Sequence, residues 1–206
     1  MRIDSVRFDA SGNATVVASG GISFYIPRHR IAEIPEGIPR QGQDLEDENP
    51  AWIAIERIAE EEEALQRAIR LCSRAEQSSI GLVSKLSMRG FSRAAIDFAV
   101  SKMENKGMLD DVRYASVWAR TRSESRLQGP LRTASELRAR GFDESTVRAA
   151  LASVDFDAIL EKALAKGLGD TENGAPGKEL LDSIASDLKL KGFRSEAVSR
   201  SIENLT

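Results

Sequence analysis

The chain has little of what most enzymes and metal sites are built from. It contains one histidine, His29, and one cysteine, Cys72, among 206 residues. No internal disulfide can form, and no His/Cys cluster is available to hold a metal ion. There is no G-x-x-x-x-G-K-[S/T] phosphate loop, no G-x-G-x-x-G after a strand, and no Ser/His/Asp or Cys/His set. These absences argue against an enzyme, a cofactor and a resident metal. His29 follows Pro27 in a segment that reads as a loop, and Cys72 in LQRAIRLCSRA reads as a structural thiol on a helix. No run approaches the roughly 18 apolar residues of a membrane span, and MRIDSVRFD has no apolar signal core. The expected setting is therefore the cytoplasm, with no membrane partner. Aromatics make up only 5% of the residues, which suits helices packed through small side chains.

What the chain does have is an internal repeat. The phrase L-x-x-[R/K]-G-F occurs three times, at Leu86 to Phe91, Leu137 to Phe142 and Leu188 to Phe193, each copy starting 51 residues after the one before. The echo continues at Ile96, Val147 and Val198, then at Val100, Leu151 and Ile202, and then at Met103, Val154 and Leu205. Offsets of five, nine and twelve from the Phe mark one helix face. A fixed period of this length is the signature of stacked units that complete their cores against one another. Within the phrase, Gly suits a helix C-cap of positive φ, the preceding Arg or Lys suits the negative helix end, and Phe closes the turn.

The expected fold is mainly α: three tandem three-helix repeats in an elongated array, with a small N-terminal β-meander. Residues 2–8, 14–18 and 22–26 read as short strands separated by SGN and SGG. Three strands alone are marginal, so they should pack on the helical body. A loop, GQDLEDENP, then leads to a helix from about Ala51. The first helices of the units are expected at about 60–76, 110–126 and 155–168, and the second at about 79–89, 130–140 and 176–191. The third are expected at about 92–106, 143–153 and 194–205. This gives a division into 1–50, 51–108, 109–153 and 154–206, with GLGDTENGAPG at 167–177 as a flexible loop inside the last unit. Ser92 and Asp143 suit N-caps, whereas the third copy carries Arg194 at that place.

Charge is sorted along the chain behind a net value of only -3. Residues 41–64 hold nine carboxylates against one Arg, residues 65–140 hold fifteen Lys and Arg against seven acids, and residues 141–206 are acidic again. The basic middle is mostly Arg, the residue suited to bidentate contact with phosphate or carboxylate, and so points to an acidic or polyanionic partner. Adjacent Asp110 and Asp111 could suggest a metal or acid/base pair. The better reading is a cap at Asp110, a favourable dipole contact at Asp111, and a staple between Leu109 and Tyr114. Arg113 and Arg120 share one face of the following helix, Tyr114, Val117 and Trp118 are expected on an apolar side, and Pro130 suits a helix start after Gly129.

The order G-M-L-D-D-V-R-Y-A at 107–115, then Arg122, Gly129, Arg132 and E-L-x-x-R-G-F at 136–142, resembles the RecX family of bacterial recombination regulators. L-x-x-R-x-x-x-S at 71–78 before K-L-x-x-R-G-F-S extends the resemblance, which covers roughly residues 50–206. The N-terminal meander with G-Q-D-L also resembles the leader of some members. The resemblance implies a modulator that binds the RecA filament, limits its assembly or activity, and in some members contacts single- or double-stranded DNA. It carries the family's basic positions onto Arg74, Arg113, Arg122 and Arg132. With the neighbouring Lys85, Arg89, Arg120 and Arg126 these form the expected partner-binding set, on a chain expected to be monomeric. Gly81 stands where members usually have an acidic residue, and the loop at 167–177 is an insertion in the third repeat. The alternative is a direct DNA binder, because three-helix units resemble helix-turn-helix modules. The third helices begin SRAAIDFAV, DESTVRAAL and RSEAVSRSI, and the acidic start of the second argues against base readout.

Overall fold

Three short strands, β1 (Ile3–Phe8), β2 (Ala14–Ala18) and β3 (Ser23–Ile26), form an antiparallel sheet in the order β1-β2-β3. The computed structural model describes residues 1–169 and 177–205 of the chain. Alternation decides which side of the sheet is buried. Ala14, Val16 and Ala18 of β2 face inward, with Ile3 and Ile26 beside them. A 3-10 turn at Arg28–Glu33 follows, so His29 lies in a short helix rather than the expected loop.

Nine helices follow among the described residues. The first, α1 (Pro50–Cys72), starts at Asn49, whose side chain accepts from the Ala51 and Trp52 amides at 2.9 and 3.4 Å. Pro50 takes the first helical position, where a missing N–H costs nothing. The helix is continuous, where the sequence suggested a leading helix and a separate one from about 60. It also ends at Cys72 rather than 76. Its early residues Trp52, Ile55 and Ile58 pack on the sheet, with Trp52 edge-on to Phe24 at 5.0 Å. Its later residues Ala64, Leu65 and Ala68 share a second core with α2 (Ser79–Ser87) and α3 (Arg93–Asn105). Cys72 is half-buried there, and burial pushes its thiol up, with Lys85 partly opposing.

The 3-10 turn after the sheet is tied to α1 by an ion cluster that the sequence did not announce. Arg30 is only 3% exposed and contacts Glu61 at 2.5 Å, Glu33 at 2.9 Å and Glu62 at 3.4 Å. Its guanidinium also lies 4.6 Å from the centre of the Phe98 ring on α3. Two of the nine carboxylates in the acidic 41–64 stretch, Glu61 and Glu62, are therefore buried inside the fold.

By its contacts the chain divides after Leu109 into Met1–Leu109 and Asp110–Thr206. The second unit holds α4 (Asp111–Arg126), α5 (Pro130–Ala139) and α6 (Glu144–Ala152), then α7 (Phe156–Leu168), α8 (Lys178–Leu190) and α9 (Ser195–Glu203). Gly167 lies inside α7 and Gly177 directly precedes α8, so the expected loop is narrower than 167–177. Its remaining part, 170–176, lies outside the described residues.

The Leu and Gly of the repeated phrase do the same structural work each time. Leu86, Leu137 and Leu188 are fully or almost fully buried, each contributing about 1.5–3 kcal/mol of apolar burial. Gly90, Gly141 and Gly192 follow with φ of 83°, 89° and 89°, in the left-handed region that ends helices. In the second and third copies the Phe amide then donates back to the Leu carbonyl, at 3.4 Å for Phe142 and 3.1 Å for Phe193. Asp110, Ser92 and Asp143 cap their helices through side-chain oxygens, whereas Arg194 before α9 makes no side-chain cap bond. The expected staple does not form. Leu109 is buried in the first unit's core, while Tyr114 packs 6.0 Å from the Phe142 ring in the second.

Candidate functional site

The arginine-rich surface of the second unit is built on α4 and α5. Its inner stripe is made of small residues: Ala115, Ala119 and Ser123 are completely buried, at helical spacing of four. Val117, expected on the apolar side, is instead half-exposed at 50%. Small side chains allow close helix approach, so a stripe of Ala and Ser defeats a simple count of large apolar residues. Ser123 Oγ lies 2.9 Å from Thr133 Oγ1, which in turn donates to the Gly129 carbonyl at 3.0 Å. This buried polar chain fixes the α4–α5 turn and hence the arginines on either side of it.

Glu136 on α5 gathers two of the expected binding residues. Arg122 Nε donates to it at 3.0 Å and Arg132 Nε at 3.5 Å, while Gln128 Nε2 donates at 3.0 Å. Burial alone would raise the Glu136 carboxyl, but the donors from Gln128 and Arg122, the Arg122 charge and the Arg132 donor together hold it below its ordinary range. Arg122 and Arg132 are thus partly neutralised within the unit. Arg140, expected at the helix end but not in the binding set, donates to the Glu136 carbonyl at 2.8 Å and lies 4.1 Å from the centre of the Trp118 ring. Arg122 lies 5.8 Å from the same ring. Trp118 is accordingly a half-buried platform for two guanidinium groups, a favourable cation–π arrangement. Only the spacing of Arg132 and Glu136, four residues apart, could have signalled this cluster in advance.

The remaining predicted residues are more open. Arg126 is exposed at the end of α4 and has no side-chain partner among the described residues. Arg120 is exposed and, among the described residues, reaches the Ser153 carbonyl at 3.5 Å. Arg113 is exposed beside its own helix cap Asp110 at 3.7 Å. In the first unit, Arg74 is exposed in the turn after α1, Lys85 donates to Gln77, and Arg89 donates to the Lys85 carbonyl at 2.5 Å. Lys85 and Arg89 are therefore engaged locally, and the arginine behaves as a helix-end cation. No group of three metal-ligating side chains occurs among the described residues, and no described helix is long and apolar enough to cross a membrane.

Residues 110–151, which contain this arginine surface, match the model of the RecX second three-helix domain. Regulatory protein RecX of Xanthomonas campestris pv. campestris strain B100 is 38% identical over 97 residues, covering 47% of this chain and 59% of that relative's length. Regulatory protein RecX of Halorhodospira halophila is 31% identical over 137 residues, covering 64% of this chain and 81% of the relative. The chain belongs to the RecX family. A third RecX relative, from Mycobacterium sp. strain KMS, is 30% identical over 131 residues and is covered over 69% of its length. The fold agrees. A crystal structure of regulatory protein RecX superposes with a TM-score of 0.73 over 98% of both chains at 21% identity. The crystal structure of RecX from Lactobacillus salivarius gives 0.62 over 71% of this chain and 96% of that one.

Proposed function

We propose that this chain is a non-enzymatic regulator that docks on a RecA nucleoprotein filament and limits its assembly or activity. The observation that carries the reading is the arginine surface of α4 and α5, which falls within the segment matching the RecX second three-helix domain. Exposed Arg113, Arg120 and Arg126 supply positive charge for acidic filament surface or phosphate, and Arg122 and Arg132 stand ready beside them on Glu136. The regulatory names of the relatives support the same role. On this reading the repeats are 51–108, 109–153 and 154–206, and the protein acts as a cytoplasmic monomer in recombination, DNA repair and the SOS response. Arg74, Lys85 and Arg89 of the first repeat extend the contact set.

A purely DNA-reading role is weaker, because α6 and α9 carry Glu144 and Glu196 in their first turns, where base-reading side chains would sit. The two readings separate in a titration of the purified protein against bare and RecA-coated single-stranded DNA across a salt series. The filament reading expects tighter binding to the coated strand. Equal or tighter binding to bare DNA, with a steep salt slope, overturns it.

A further inference from the structure

A trough lies beside the open edge of the sheet, between β3 and α1. Among the described residues strand β3 pairs only with β2, so its other edge carries backbone groups without a neighbouring strand there. Register identifies which ones. The Ala18 amide donates to the Ile22 carbonyl at 2.9 Å, so Ala18 and Ile22 form a hydrogen-bonded pair. Because such pairs recur every second residue, Phe24 and Ile26 also point their backbone groups at β2. Ser23 and Tyr25 therefore point theirs outward, and neither has a backbone partner on that side among the described residues. The trough they open into holds about 500 Å³ and is walled on the far side by α1.

The wall is acidic. Glu56, Glu60 and Glu63 line it, with Arg70 at the Cys72 end of the helix. Glu60 is engaged in capping α3, since its carboxylate accepts both the amide and the hydroxyl of Ser92 at 2.7 Å. Buried Glu62, also on this wall, is held by Arg30. Glu56 and Glu63 are exposed and have no partner among the described residues. Exposed Ile22 adds apolar surface at the start of the strand.

We propose that this trough takes an extended, basic peptide segment of another protein as a fourth strand beside β3. Its backbone would bond the open groups of Ser23 and Tyr25, the mode in which a strand is added to a sheet edge. Alternate side chains of the added strand would face α1, and Lys or Arg at those positions would meet Glu56 and Glu63. The partner stretch is short, because β3 has only four residues. A second copy of this chain does not fit. Edge-to-edge pairing of two β3 strands would set one Glu56 and Glu63 pair against another, and the chain's own basic block lies almost wholly in helices. The proposal is independent of the arginine surface and does not require the RecA reading.

The test uses the full chain and a labelled, end-blocked peptide, Val-Lys-Val-Lys-Val, followed by fluorescence anisotropy. Binding should fall about tenfold or more for the peptide with Glu in place of Lys, and for one N-methylated at the amides that would face β3. The E56K/E63K protein should lose the Lys peptide by a similar factor while keeping its helical circular dichroism, since both positions are exposed. Amide exchange at Ser23 and Tyr25 should slow on peptide addition, a readout that charge attraction alone would not move. Equal binding of the N-methylated peptide, unchanged exchange at those two amides, or a dimer of the chain alone in sedimentation each overturns the proposal.

Discussion

Gly129 and Gly192 meet backbone to backbone: the Gly129 amide donates to the Lys191 carbonyl at 2.8 Å, and the Leu131 amide donates to the Gly192 carbonyl at 3.0 Å. The α4–α5 turn of the second repeat is thereby seated on the α8–α9 turn of the third. A Cβ on Gly129 would lie 2.4 Å from the Gly192 carbonyl, a distance no neighbour can accept without moving backbone.

The Gly129→Ala variant should therefore lose about 1–3 kcal/mol of stability through overpacking, read from urea unfolding of the second unit. Gly90→Ala offers the contrast, since its Cβ would meet nothing within 4 Å and only its φ of 83° is unfavourable. Its cost should be about 1–2 kcal/mol and fall on the first unit. Wild-type stability for Gly129→Ala would show that the two turns are not in contact.

Arg30→Met should destabilise the first unit by about 3–5 kcal/mol, because it leaves buried Glu62 without its cation and buried Glu61 with Arg57 alone. Adding Glu61→Gln and Glu62→Gln to that variant should restore part of the loss. A double-mutant cycle by denaturant unfolding measures the coupling, and strict additivity would deny the cluster its role.

Acid should weaken the same region. Hydrogen bonds from Arg30 and Arg57, with their charges, hold the Glu33 carboxyl at about 2 against an ordinary value of 4.5. A depressed folded value means stability that is complete above about 4.5 and is lost as pH falls towards about 2. Glu33→Gln should flatten the stability profile of the first unit across that window. An unchanged slope would place the acid sensitivity elsewhere.

Glu136→Gln should release Arg122 and Arg132 from their shared carboxylate. On the proposed function, the variant binds RecA-coated DNA more tightly, while an Arg120→Glu/Arg126→Glu variant binds it several-fold more weakly. Each exposed cation that meets phosphate should contribute roughly one unit of salt slope. Helical circular dichroism separates these effects from unfolding. Unchanged binding in both variants would move the contact surface away from α4 and α5.

The repeat was legible because its parts are local. A cap, a left-handed glycine and a returning Phe all lie within six residues, so Leu137 to Phe142 carries its own instructions. Interactions across sequence were not legible. Nothing near Arg30 in the chain announces Glu61, and the charge count of the acidic stretch does not show that two of its carboxylates are interior. The candidate site was half visible. Its arginines stood out by composition, but their distribution between open positions such as Arg126 and the Glu136 cluster depends on how α4 packs on α5. Val117 was misplaced for the same reason, since Ala115 and Ala119 take the inner stripe.

The uninterrupted α1 has a consequence for how such chains tolerate insertion. Ile58 packs under the sheet and Ala64 packs in the first repeat, with one rigid rod of helix between them. Each residue of an α-helix turns the chain by roughly 100°. A single residue added or removed between Ile58 and Ala64 would swing the sheet about the rod by that angle. Placed between Ile58 and Glu61, it would also carry Arg30 away from Glu61 and break the cluster that ties them. Length changes in this family member are therefore confined to the loops on either side of the rod, however permissive its surface residues are.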